Sequence, residues 1–99
     1  MNNFKVEQFM VKNQFRIYGK GVNCLQSYNS LVVKIETLDY NNYKITLGKD
    51  WDYSTTTSKY VYMFLEEYSN IRFYGVNDKR NYIRKLIEQG IIQYDNDME

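Results

Sequence analysis

Between Leu47 and Tyr68 the chain reads LGKDWDYSTTTSKYVYMFLEEY, and this stretch restricts the fold more than any other. A strand pattern ends at Thr46 and Leu47, and Gly48 permits a turn. The hydroxyl cluster from Ser54 to Thr57 can then accept hydrogen bonds from the unpaired N–H groups that open a helix. After it, Val61, Phe64, Leu65 and Tyr68 recur at i, i+3, i+4 and i+7, one face of a helix predicted to run from Thr55 to Ser69. Burying each of those side chains is worth ~1.5–3 kcal/mol, an upper bound because the unfolded chain is already partly collapsed.

Upstream of this helix the apolar period is two. Residues 4–11 and 14–18 read as a hairpin, with Phe15 and Ile17 expected on one face and Gln14, Arg16 and Tyr18 on the other. Val22 to Tyr28 reads as a short strand or a loop. Ser30 to Leu38 is the strongest strand pattern, with Leu31, Val33 and Ile35 expected inward against Val32, Lys34 and Glu36. Asp39 to Asn42 supplies a turn, because Asn and Asp tolerate a left-handed backbone, and Tyr43 to Leu47 returns as the hairpin partner. Downstream, Asn70 to Gly75 is a connector, and Asn77 or Asp78 caps a second helix whose inward face is Ile83, Leu86 and Ile87. Gly90 stops that helix in a Schellman ending, with Ile91 packing back on Leu86, and Ile92 to Tyr94 can add an edge strand.

Strand patterns precede helical ones instead of alternating with them. The expected class is therefore α+β: an antiparallel meander of about four strands with two helices packed on one face. At 99 residues there is room for a single core. One domain is expected over residues 1–94, with residues 95–99 a frayed acidic tail.

Composition removes several kinds of chemistry. The chain has no histidine, which excludes Ser-His-Asp and Cys-His arrangements and the commonest metal ligand. Its one cysteine, Cys24, excludes an internal disulfide, fits a reducing cytoplasm, and leaves open a pairing between chains. Gly19-Lys20-Gly21 lacks the spacing of a phosphate-binding loop. Net charge is +1, neither basic enough for non-specific phosphate binding nor acidic enough to imitate nucleic acid. No run approaches the ~18 apolar residues of a membrane span. No cofactor or metal is expected.

The remaining candidates are contact residues. Trp51 lies between Asp50 and Asp52 and either plugs one end of the core or anchors a partner. The two acids lack the further ligands of a calcium loop and read as solvated charge near a helix start; Glu66 and Glu67 read as solvated charge too. The only basic cluster is Arg72, Lys79, Arg80, Arg84 and Lys85. One reading makes it the polar side of a helix, with Arg84 pairing Glu88 at i+4. The other makes Arg80 and Arg84, with Tyr74 and Tyr82, a contact edge, since Tyr and Arg are favoured where binding energy concentrates. Eleven tyrosines are more than a core this small satisfies with phenol hydrogen bonds, so several should be exposed.

Two segments also carry a resemblance. Leu25-Gln26-Ser27-Tyr28-Asn29-Ser30-Leu31-Val32-Val33-Lys34-Ile35, followed by Trp51-Asp52-Tyr53-Ser54-Thr55-Thr56-Thr57-Ser58-Lys59-Tyr60 and Phe64-Leu65, resembles a widespread group of small phage and mobile-element proteins. Their pattern is a Ser-Tyr-x-Ser/Thr strand and then Tyr-Ser-x-Thr-Thr opening a helix that often carries histidine; Tyr60 stands near that place. The resemblance spans about residues 22–66. It implies a genomic setting, the small accessory genes of phages, many of which act by binding and blocking a host machine. With the single small domain, the missing catalytic set and the tyrosine excess, it leads to the expectation of a non-enzymatic inhibitor that binds a host protein or ribonucleoprotein stoichiometrically, a defence nuclease in the manner of an anti-CRISPR protein. The alternative is a small nucleic-acid-binding or regulatory module.

Overall fold

The computed structural model describes residues 4–98. Six strands and two helices follow in the order β1 (Lys5–Gln8), β2 (Gln14–Gly19), β3 (Val22–Ser27), β4 (Ser30–Asp39), β5 (Asn42–Gly48), α1 (Thr55–Tyr68), α2 (Lys79–Glu88) and β6 (Gln93–Asp95). The strands lie in one sheet in sequence order, antiparallel from β1 to β5. β6 pairs parallel with β5, Leu47 opposite Tyr94. A parallel neighbour needs a long crossover, and α1 and α2 supply it. The class is α+β as expected, with six strands in place of the expected meander of about four, since the segment read as a short strand or a loop and the optional edge strand near the end both form strands. Among the described residues no helix is long and apolar enough to cross a membrane.

Tight turns join the meander. Asn41 adopts φ 62° and the Asn42 amide donates to Asp39 Oδ1 at 2.7 Å, the turn chemistry that pattern predicts. Tyr28 takes φ 56° between β3 and β4, a conformation uncommon for an aromatic residue. A bulge between Leu25 and Gln26 puts both Val32 and Val33 in the core and turns Leu31 away from it. Leu31 therefore leaves the inward set, and Val32 joins it.

Alternation leaves the inward side of β2 open, and the structure makes it the polar one. Gln14 is buried, and Arg16 lies against the rings of Tyr18 and Tyr68, the latter on α1, at 3.7 and 4.4 Å. Gln14, Arg16 and Tyr18 thus face the helices, while Ile17 shares the opposite face with Cys24 and Lys34. Alternation fixes the period of a strand but not its side. Here the register through Arg16, Leu25, Val33 and Leu47 decides it.

α1 lies over β3 and β4. The core joins Leu25, Val33, Ile35, Ile45 and Leu47 of the sheet to Val61, Phe64 and Leu65 of α1 and Ile83 of α2. Phe64 meets Phe9 edge-on at 5.1 Å. Ser54 caps α1 and Asp78 caps α2, each accepting the N–H three residues on. At the end of α2 the Ile91 N–H reaches Leu86 O at 2.9 Å and the Gly90 N–H reaches Ile87 O at 3.0 Å, with Gly90 at φ 77°. This is the Schellman pattern, but Ile91 stays half-exposed and the neighbouring Ile92 enters the core. The tail expected to fray makes a further turn through residue 98: the Asp97 and Met98 N–H groups return to Asp95, and Met98 sits beside Gly48. Glu99 lies outside the described residues.

Candidate functional site

Trp51, in the turn after β5, is 4% exposed and belongs to the core cluster. It acts as the plug of the two readings, and its ring offers no surface to a partner. The acids on either side are engaged: Asp50 accepts from Ser30 Oγ at 2.7 Å, and Asp52 pairs with Arg84 at 3.1 Å and Arg80 at 3.6 Å. The pairing foreseen between Arg84 and Glu88 is replaced by this one. One carboxylate in the turn before α1 is shared by two arginines one turn apart on α2, so it fixes the approach of the two helices.

Arg72 leaves the basic cluster altogether. Its guanidinium nitrogen lies 3.1, 2.9 and 2.8 Å from the carbonyls of Glu66, Ser69 and Ile71, the first two being acceptors that the end of α1 leaves free and the third belonging to the connector. Glu66 is likewise more than solvated charge, because its carboxylate accepts the Phe73 N–H at 3.0 Å. These bonds hold the connector against α1 and press Phe73 inward, where it is buried.

Phe73 is the centre of an aromatic row. Tyr62 of α1 lies 5.2 Å from it on one side and Tyr82 of α2 5.7 Å on the other, the latter edge-on. Lys79 Nζ stands 5.8 Å from the Tyr62 ring and 5.9 Å from Phe73, within cation–π range. A groove of about 530 Å³ opens here, lined among others by Lys59, Tyr62, Phe73, Lys79 and Arg80. Burial raises the Tyr62 phenol above its ordinary pKa, so it remains a neutral hydrogen-bond donor. Next in the chain, Tyr74 is fully exposed. The site combines a rigid aromatic wall with lysines 59 and 79, which make no ion pair among the described residues.

Of the residues singled out from sequence, the structure puts Arg80 in the groove lining and Tyr82 against Phe73, engages Arg84 with Asp52, leaves Tyr74 fully exposed beside Phe73 in the chain, and takes Trp51 into the core. Tyr62, Phe73 and Lys59 went unseen. Tyr62 sits beside the apolar stripe of α1, and Phe73 is a connector residue with no period. Only the contact between helices reveals them.

The segments that carry the resemblance meet elsewhere. Ser27, Tyr28, Ser30, Asp50, Tyr53 and Thr57 line a cleft of about 230 Å³ where the β3–β4 turn meets the start of α1. Ser27 Oγ and Thr57 Oγ1 are 3.1 Å apart, Gln14 Nε2 donates to Ser27 Oγ at 2.9 Å, and Thr57 also meets the capping Ser54. The shared hydroxyls are thus a joint between sheet and helix. Among the described residues no three Cys, Asp or Glu side chains converge as metal ligands.

No curated protein and no solved structure matches the chain significantly. Residues 2–85, most of the chain and all of the sheet but β6, match a family of unknown function, DUF8033, and the protein belongs to that family.

Proposed function

We propose that the protein works by stoichiometric binding without turnover, and that the groove between α1 and α2 is its contact surface. The observation that carries this reading is the Tyr62–Phe73–Tyr82 row with Lys79 against it and the fully exposed Tyr74 next to Phe73 in the chain. Rigid aromatic side chains beside unpaired lysines make a contact of the hot-spot kind, in which anchors already fixed lose little entropy on binding. The occupant is an acidic protein surface. The phage-like pattern adds a host setting, in which that surface belongs to a defence nuclease complex blocked in the anti-CRISPR manner.

A nucleic-acid reading draws on the same cations. The rings favour the protein, because Phe73 is buried and Tyr62 and Tyr82 pack against it, whereas a strand of bases needs open ring faces to stack on. The test is titration against a host defence nuclease complex and, separately, against single-stranded DNA and RNA. The expected result is inhibition that saturates at a fixed ratio and weakens by about tenfold or more in a folded Tyr74→Ala/Lys79→Glu variant. Turnover of any substrate overturns the proposal. So does nucleic-acid binding that falls steeply with salt.

A further inference from the structure

Among the described residues, no element packs over the face of the sheet away from the helices, yet it is not a polar face. A strand with one solvated side alternates apolar and polar residues, whereas β3 and β4 carry apolar side chains on both sides and β2 turns Ile17 to the open one. Ile17, Val22, Cys24 and Leu31 line a shallow groove of about 470 Å³ on this face, with Phe4 at one end and Met98 at the other. Val6 and Leu38 extend the apolar area and are largely exposed.

We propose that this open face is the interface of a two-fold dimer of the chain. Two observations select a second copy. The face carries charges of both signs side by side: Lys34 Nζ lies 4.0 Å from Glu36 Oε2 on β4, and Lys44 stands opposite Glu36 on β5. A two-fold interface must be self-complementary, and this arrangement lets each copy's Lys34 meet the other's Glu36, while giving a strongly charged partner nothing to prefer. The area is also sufficient. Strands ~4.8 Å apart with ~3.3 Å per residue give a face of roughly 500–600 Å² per copy, so a dimer buries about 1,000 Å² or more, the threshold for a specific interface. Sheet-on-sheet packing at ~10 Å is the geometry such a pair adopts.

Sedimentation of the full chain from low micromolar to millimolar concentration tests this. The expected result is a shift from the 12.0 kDa monomer to twice that mass, and an Ile17→Lys variant that stays monomeric with an unchanged circular dichroism spectrum. The charges provide a second route that leaves the core alone: Lys34→Glu raises the dimer Kd about tenfold, and Lys34→Glu/Glu36→Lys restores it to within about threefold. Monomer at every concentration overturns the proposal, as does a dimer indifferent to both Ile17→Lys and Lys34→Glu. Tyr74→Ala/Lys79→Glu should dimerise like the parent chain, which separates this interface from the groove on the other side.

Discussion

Gln14 is 1% exposed and its Oε1 meets no hydrogen-bond donor among the described residues, although its amide nitrogen donates to Ser27 at 2.9 Å. A buried amide half satisfied in this way is tolerable only because Ser27 and Thr57 complete the other half. Removing the hydroxyl in Ser27→Ala should cost ~1–3 kcal/mol, since it strands a second polar atom of Gln14 in the core. At ~4–8 °C per kcal/mol for a domain of this size, thermal denaturation will show it clearly. Gln14→Leu/Ser27→Ala should recover most of the loss, because both partners then become apolar. A double variant no more stable than Ser27→Ala would mean the cost lies in packing. Residue roles of this kind were only partly legible. Ser54 as cap follows from residue type and position, but Asp52 shared by two arginines, Arg72 on three carbonyls and Glu66 on the Phe73 N–H are bonds between segments that no local pattern records.

The helices were readable almost to the residue, because a period of 3.6 both names the element and marks its buried side. α1 runs from Thr55 to Tyr68, with Val61, Phe64 and Leu65 fully buried. Phe64→Ala removes the ring that meets both Phe9 and Tyr68, and should cost ~3–5 kcal/mol. In a 99-residue domain that approaches complete unfolding at room temperature. A melting temperature within a few degrees of the parent chain would contradict this packing. The strands were harder to read, for two separate reasons. Period two does not say which side faces the core, and only the contacts of Gln14 and Arg16 beneath α1 decide it for β2. Short elements are the other difficulty: β1 is exposed throughout, β6 has three residues, and β3 is largely polar in sequence.

Across the whole molecule the two faces differ in character. The helix side closes one core and leaves a cationic aromatic groove at the seam of α1 and α2, while the sheet side carries an apolar surface balanced in charge. Composition alone signalled that aromatic surface must exist, through eleven tyrosines in a chain this short. Where it lies depends on the connector folding back so that Phe73 docks between the helices, and that is a tertiary event. The central claim is that this groove is where the protein meets its partner. The most direct measurement replaces Tyr74 with a photo-crosslinking phenylalanine analogue in the full chain and irradiates the cells that produce it, with the same analogue at Tyr40, 91% exposed at the β4–β5 turn, as control. One protein adduct of one-to-one stoichiometry is expected from position 74, absent from position 40 and reduced by Lys79→Glu. Equal labelling at both positions, or an adduct to nucleic acid from position 74, would contradict it.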